Sequence, residues 1–447
     1  MSPPFGFRPW RTAPPRVPTD QVLPVHLLGD APDVRGIVMR WMVRFDDVLD
    51  AEKLHSALVK LLEMKTWRRL GGRLRLNQQG KLEIHVPAAF DSTRPAARLS
   101  HVSFDMALAE HPTASQTPRP TNAPSVHAVD DAFRALSASA ASDKLPETLP
   151  ETLEDYLYSD EPPLALQVFT FRDATLLCMS CPHAMMDAIG SAALVSAWCK
   201  VLAGREDELL PLSADDPMQS MSRIKDGDGN GEDGEQAGLK AKHLAGLGMF
   251  LFAVRFILDM LFGPRMDTRT IFLPAKPTPR AAKVVSEGDV LSAWTTQLIV
   301  RSLGARSTRT LAVMNVFELQ SRLAAFDVRR AAYVQNAFYV ATTQQTAPAQ
   351  VRAALRDLIA ALARTGHPPV AAEPDSLPVP ISNLTKTRFF DVVDLGPAVG
   401  CPSSAKRNQL LRNVVQILGK DLEGNYWITG ILSPGTWAEV HKELEGL

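Results

Sequence analysis

The stretch LLCMSCPHAMMD, residues 176–187, decides the fold. It is an apolar run followed by His183 and, four residues later, by Asp187. A second apolar run, residues 164–171, precedes it across a two-residue turn, and residues 188–202 follow it with apolar side chains at helical spacing. Asp187 stands where its side chain can cap that helix. The sequence therefore predicts two strands, a histidine-bearing loop and a helix, in that order.

Helical and strand-like patterns alternate along the rest of the chain. Residues 50–64 place leucines at helical spacing behind Asp50, a good capping residue, and residues 74–86 predict a β-hairpin around the turn at 78–80. Farther on, the patterns predict helices at 286–302 and 348–364 and from 436 onward, and strands at 311–319, 332–343 and 425–432. Such alternation predicts an α/β fold with mixed sheets, in two halves.

The composition indicates a globular protein of two or three domains. Hydrophobic residues make up 45% of 447 positions, which is enough for more than one buried core. The 48 basic and 49 acidic residues leave a net charge of −1, so no broad positive field is available to attract nucleic acid. Four cysteines cannot form a disulfide framework, and the first ten residues lack the pattern of a secretory signal. We therefore expect a cytoplasmic protein.

Residues 244–262 form the most apolar segment of the chain and are long enough to span a bilayer. Arg255 and Asp259 interrupt the segment. Four residues apart, they can pair on one helical face, whereas each would cost about 2.5–3.5 kcal/mol in the middle of a membrane. Stable membrane insertion is therefore not expected. A buried or surface-packed helix between the halves, bordering a pocket for an apolar ligand, is the favoured interpretation, with a membrane anchor as the alternative.

The spacing HxxxD says little by itself, because the chain contains four copies of it, at 26–30, 101–105, 127–131 and 183–187. Only the last copy follows an apolar strand and precedes a long helix. A histidine in that position can act as a general base because its ordinary pKa lies near the working pH. A hydrogen-bonded core histidine is the alternative. The chain has no glycine-rich phosphate loop, HExxH zinc signature or GxSxG elbow, so no metal is predicted.

Five short motifs occur in a fixed order: WRRLGGRL at 67–74, HAMMD at 183–187, DVLSAW at 289–294, YVQN at 333–336 and DLGPAVG at 394–400. Their order resembles that of the BAHD-type acyl-CoA-dependent acyltransferases, in particular the fungal natural-product branch, and the resemblance spans most of the chain. Pro182 stands where the related condensation domains and chloramphenicol acetyltransferases carry a second histidine, which favours the BAHD branch. The departures from the family motifs are Ala188, Gln335, Leu395 and Pro397.

The resemblance implies roles for five residues. His183 would take the proton from the acceptor as it attacks a thioester. Ser382 or Asn383 would donate a hydrogen bond to the resulting oxyanion, although both are equally good turn residues. Asp187 would point away from the substrate and brace the loop through an arginine. Asp394 would match the aspartate of the last motif, with either a catalytic role or a structural one at the domain interface.

The resemblance also implies the architecture, a two-domain chloramphenicol-acetyltransferase-like (BAHD) α/β fold with mixed sheets and the active site at the domain interface. The expected parts are an N-terminal domain over 1–205, a crossover linker with the apolar helix over 206–285 and a C-terminal domain over 286–447. Cys178 and Cys181 would face opposite sides of one strand, buried rather than redox-active or metal-binding.

The reaction that the resemblance implies is acyl transfer from a CoA thioester to a hydroxyl or an amine of a hydrophobic small molecule. An acyl-carrier thioester is the alternative donor. The expected protein is a monomer with no permanently bound cofactor, and acyl-CoA is its co-substrate. A fold relative that binds a ligand, or that promotes a cyclisation without transferring acyl groups, is the alternative.

Overall fold

The computed structural model describes residues 11–128, 136, 149–222, 246–275, 287–304, 307–342, 373–392, 398–401 and 412–446. Within these residues the helices are α1 (Pro32–Arg35), α2 (Ala51–Glu63), α3 (Leu153–Leu157), α4 (Ala188–Leu202), α5 (Pro217–Ser222), α6 (Leu247–Phe262), α7 (Glu287–Ser302), α8 (Phe389–Val392) and α9 (Pro434–Glu445). The strands are β1 (Gln21–Pro24), β2 (Val38–Phe45), β3 (Arg73–Leu76), β4 (Leu82–Val86), β5 (Arg98–Ser103), β6 (Ser125–Ala128), β7 (Ala165–Thr170), β8 (Thr175–Pro182), β9 (Asp267–Leu273), β10 (Leu311–Glu318), β11 (Phe338–Thr342), β12 (Leu377–Asn383), β13 (Ala398–Cys401), β14 (Val414–Lys420) and β15 (Tyr426–Leu432).

The histidine motif follows the central strand of a five-stranded sheet. The strand order is β13-β2-β8-β7-β5, and β8 runs antiparallel to both of its neighbours. Every residue of β7 and β8 is buried. Cys178 and Cys181 pack into different apolar clusters, as expected for opposite faces of β8. Burial raises the pKa of the Cys178 thiol to about 12, so this thiol is a core residue and not a nucleophile.

Helices α2 and α4 pack together against one face of this sheet. Helix α2 begins as predicted, because the Asp50 side chain accepts a hydrogen bond of 3.0 Å from the Lys53 N–H. The Trp198 indole N–H of α4 donates to the Leu54 carbonyl of α2 at 2.9 Å, which ties the two helices to each other. The predicted hairpin of β3 and β4 is confirmed, and β1 completes it as a small three-stranded sheet.

The second large sheet has the order β11-β10-β12-β14-β15-β9-β6 within the described residues. Strand β12 runs parallel to β10 and β14, and the other pairs are antiparallel. Helices α7 and α9 cover it with Leu298, Trp437 and Val440, which share one apolar cluster with Val379 and Ile417 of the sheet. The predicted α/β class with mixed sheets is confirmed.

Strands are exchanged between the two halves. Strand β13, late in the chain, forms an edge of the first sheet, whereas β6 and β9, from much earlier, pair with each other in the second. The division of the chain at residues 205 and 285 stays a prediction, and sheet membership crosses both points.

One predicted strand is shorter than the pattern at 332–343 indicated. The ladder of β11 begins only at Phe338. Before it, the carbonyl of Val334 and the N–H of Ala337 bond to Asp187 instead of to a neighbouring strand. The apolar pattern at 332–337 therefore does not correspond to a strand of the sheet. The predicted helix at 348–364 lies outside the described residues.

The apolar segment forms α6, a surface helix of 16 residues, none of which is buried. The surface-packed form of the prediction is therefore right and the buried form wrong. Among the described residues, no helix combines the length and the hydropathy that a membrane span needs. The predicted pairing of Asp259 with Arg255 is also wrong. Asp259 accepts two hydrogen bonds, of 2.7 and 3.1 Å, from the guanidinium of Arg309, whose planar fork suits a carboxylate.

Candidate active site

His183 lies at the seam between the two halves, at the carboxyl end of β8. The backbone N–H of His183 donates to the Ile37 carbonyl at 2.8 Å, and the backbone N–H of Met185 donates to the Pro182 carbonyl at 3.0 Å. As a whole residue His183 is half-buried, and its Nδ1 is buried and has no hydrogen-bond partner among the described residues. Of the two ring nitrogens, Nδ1 is the one that the protein encloses.

Asp187 joins the histidine loop to the following helix and to the other half. Its Oδ1 accepts a hydrogen bond of 2.8 Å from the Gly190 N–H, which confirms the predicted helix cap. Its Oδ2 accepts one of 3.0 Å from the Ala337 N–H. No ion pair joins Asp187 to an arginine within the described part of the chain, so the expected brace through an arginine stays a prediction.

The segment 333–336 lies directly against the histidine loop. The Asn336 side-chain amide donates through Nδ2 to the His183 carbonyl at 2.7 Å. Helix α4 approaches this segment so closely that a Cβ placed on Gly190 would lie 2.0 Å from the Val334 carbonyl oxygen. A glycine is therefore required at this crossing, and the two halves hold the histidine loop between them.

Two residues beside the imidazole had received no role from the sequence. Asn336 was noted only as the last residue of the YVQN motif, which was the available signal. The Phe338 ring meets the His183 ring edge-on, with centroids 6.4 Å apart and planes at 68°. In the sequence, Phe338 was only one of several apolar residues in a predicted strand.

Burial shifts the pKa values of His183 and Asp187 in opposite directions. It lowers the pKa of His183, while the backbone carbonyl of His183 itself and the Asn336 side chain act in the opposite direction. The imidazole is therefore neutral at pH 7, the form that accepts a proton. Burial raises the pKa of Asp187 to about 6, against the lowering effect of the Gly190 and Ala337 N–H groups.

The two oxyanion candidates end strand β12. The Asn383 side chain accepts hydrogen bonds from the Thr385 N–H and hydroxyl, at 3.1 and 2.7 Å, so it holds a turn. Ser382 is partly exposed and pairs with Val316 of β10 in the sheet. Among the described residues, no hydrogen bond joins either side chain to His183. The structure thus places His183 and Asp187 on one loop, and within the described residues no hydrogen bond links Ser382 or Asn383 to that loop.

A cavity of about 310 Å³ lies at the same seam, beside α4. Residues of both halves line it, among them Ile189, Ala192, Tyr333 and Thr387, and His183 is not one of them. The cavity therefore adjoins the histidine loop without opening on the imidazole. In the part of the chain that the structure describes, no cluster of histidine, cysteine, aspartate or glutamate is suited to a metal ion. Asp394 lies outside that part.

Several known proteins are similar to this chain in sequence or in fold. The O-acetyltransferase PaAT-2 of Phomopsis amygdali is 31% identical over 96% of this chain and 99% of its own. Acetyltransferase adrJ of Penicillium roqueforti is 30% identical over 98% of each. The crystal structure of TRI101 of F. graminearum, complexed with coenzyme A and deoxynivalenol, superposes with a TM-score of 0.59, at 14% identity, and covers 94% of this chain and 97% of its own. No family model matches the chain.

The fold is that of the chloramphenicol-acetyltransferase-like acyltransferases. Within that class, the chain belongs to the BAHD-type O-acyltransferases, in the branch that contains the fungal acetyltransferases.

Proposed function

We propose that the protein transfers an acyl group from a CoA thioester to a hydroxyl, or an amine, of a hydrophobic small molecule in natural-product biosynthesis. The supporting comparison is TRI101, which was crystallised with coenzyme A and a toxin. The observation that carries the proposal is the setting of His183. The residue as a whole is half-buried, its Nδ1 is buried, and hydrogen bonds with both halves hold its backbone.

The reaction follows from that setting. Nε2 of the neutral His183 takes the proton of the acceptor as the acceptor oxygen bonds to the thioester carbonyl carbon. The carbonyl oxygen becomes an oxyanion. When the intermediate collapses, the carbon–sulfur bond breaks and the imidazolium returns the proton to the CoA sulfur. A general base of this kind contributes on the order of 10² to 10⁴ in rate. No acyl-enzyme and no bound cofactor enter the sequence of steps.

Three other predicted residues have supporting roles in the proposal. In this proposal Ser382 supplies a hydroxyl donor for the oxyanion, and Asn383, whose side-chain oxygen accepts the two hydrogen bonds from Thr385, holds the turn. Asp187 positions the loop without touching the substrate. Asp394, which the family resemblance matches to the aspartate of the last motif, has either a catalytic role or a structural role at the domain interface in this proposal.

The working form in the proposal is a monomer in the cytoplasm. Support for the compartment comes from Cys178 and Cys181, which are buried free thiols, as suits a reducing environment.

The test uses purified full-length protein and a panel of acyl-CoA thioesters, with free CoA measured as it is released. The unmodified protein is expected to release CoA, slowly with water as acceptor, whereas His183→Ala loses on the order of 10² to 10⁴ in rate with thermal unfolding nearly unchanged. His101→Ala is the matched control, because 101–105 has the same HxxxD spacing but His101 is exposed and bonds to Thr170. Full turnover by His183→Ala would eliminate the general-base role.

A further inference from the structure

The outer side of α6 is a continuous apolar surface that the proposed reaction does not use. Exposed leucine, phenylalanine, valine and isoleucine side chains recur at helical spacing along it. We call this surface the apolar face of α6: Leu247, Phe250, Leu251, Val254, Ile257, Leu258, Leu261 and Phe262. The exposed fractions reach 71% at Leu247 and 81% at Phe262. A contiguous exposed apolar face on a protein surface marks an interaction site.

The opposite side of the same helix is fixed to the protein. Asp259 forms its bidentate pair with Arg309, and Arg412 donates to the Pro264 carbonyl at 3.0 Å just beyond the helix. The Phe252 and Phe256 rings stack with centroids 6.5 Å apart on this less exposed side. Because these contacts hold α6 in place, the apolar face is presented outward.

The charges around the face are basic. Asp259 is the only acidic residue of α6, and Arg309 neutralises it on the protein side. Arg255, within the helix, and Arg265, three residues after it, are both exposed. Arginine side chains beside an apolar helix face can reach the phosphates of a lipid surface while their stems lie along the apolar region.

The length of α6 determines whether the helix can cross a bilayer. Sixteen residues of helix extend roughly 24 Å, less than the span of about 20 residues that a bilayer crossing needs. We propose that α6 lies in the plane of an anionic phospholipid bilayer, with its apolar face in the boundary between headgroups and acyl chains. A single convex helix offers no groove for a peptide, and the two arginines complement anionic headgroups. The protein is then peripheral, with no segment crossing the membrane, and this inference does not depend on the proposed reaction.

The test is flotation of the full-length protein with vesicles of phosphatidylcholine containing about one-third phosphatidylserine. The unmodified protein is expected to float with them. Phe250→Asp/Leu261→Asp is expected to lose at least about a hundredfold in partitioning, because two large apolar side chains can no longer enter the boundary. The matched control, Val48→Asp/Leu422→Asp, changes two equally exposed apolar residues elsewhere and is expected to float like the unmodified protein.

A second variant tests the charges without altering the apolar face. Arg255→Gln/Arg265→Gln is expected to reduce partitioning by roughly thirtyfold on the anionic vesicles and hardly at all on pure phosphatidylcholine. Circular dichroism checks that each variant is folded.

Three results would overturn the inference. One is an unmodified protein that stays at the bottom of the gradient. Another is unchanged flotation of Phe250→Asp/Leu261→Asp. The third is light scattering that shows an unmodified dimer and a monomeric Phe250→Asp/Leu261→Asp variant, because the face would then bind a second copy of the chain.

Discussion

The carboxylate of Asp187 accepts a hydrogen bond of 3.0 Å from the backbone N–H of Ala337, which lies 150 residues away in the chain. The same carboxylate caps the helix that follows the histidine loop. One side chain therefore sets both the start of α4 and the position of the C-terminal segment that contacts His183. The arrangement makes the conformation of the histidine loop a property of both halves.

The hydrogen bond from Asn336 to the His183 carbonyl predicts a positioning role for Asn336. Asn336→Ala is expected to lower kcat by about 10- to 100-fold, because a small displacement of the base costs that much. It also removes a group that raises the pKa of His183, so the acidic limb of the pH profile of kcat/KM should move to lower pH. Asn336→Asp should move that limb to higher pH. Identical pH profiles for all three proteins would contradict the role.

The close crossing at Gly190 predicts a steric effect. A Cβ at Gly190 would sit 2.0 Å from the Val334 carbonyl oxygen, so backbone has to move. Gly190→Ala is expected to lower the free energy of unfolding by about 2 kcal/mol and to reduce kcat, measured by thermal unfolding and CoA release. Gly36→Ala is the matched control, because nothing lies within 4 Å of its Cβ position. Equal stability of the two variants would show that the crossing is loose.

The raised pKa of Asp187 predicts a pH-dependent stability. Because its folded-state pKa of about 6 exceeds the ordinary 3.8, the folded protein binds more protons between these values. The stabilisation from the protonated carboxyl is complete below about pH 3.8 and is lost as the pH rises through 6. Relative to Asp187→Asn, which does not titrate, the unmodified protein should lose about 2 kcal/mol between pH 4 and 7. Denaturant unfolding of both proteins across this range measures it, and parallel curves would refute it.

Ser382 and Asn383 are predicted to respond differently to substitution. Ser382→Ala is expected to lower kcat by about 10² to 10³ with unchanged unfolding, as for a lost oxyanion donor. Asn383→Ala should mainly destabilise the turn that its side chain holds with Thr385, by about 1 kcal/mol. Steady-state kinetics and thermal unfolding of the pair separate the two roles. If Ser382→Ala retains full kcat, the oxyanion donor lies elsewhere.

The sequence predicted well the elements that depend on local pattern. Helix α2 begins after Asp50, and α4 has the predicted bounds of 188 and 202, because capping and helical spacing are contained in neighbouring residues. The apolar strand before His183 was recognised in the same way. The resemblance of five ordered motifs then indicated the fold and the reaction class.

The contacts of the site could not be predicted in the same way. The partner of the Asp187 carboxylate is the backbone N–H of Ala337, and a backbone group has no sequence signature. The strand pattern at 332–343 was misleading because the backbone of Val334 and Ala337 bonds to Asp187, and the ladder of β11 begins only at Phe338. The exposure of α6 was equally hidden, since hydropathy gives no information on which side of a helix meets protein.

The two-sided hold on His183 also has a consequence during synthesis. A ribosome that has finished α4 has already made His183 and Asp187, but the amide and the N–H that secure their loop lie 153 and 150 residues farther on. At ordinary translation speeds this interval lasts roughly ten to thirty seconds. The histidine loop is therefore held from both sides only after residue 337 has been made, and shorter nascent chains lack that hold.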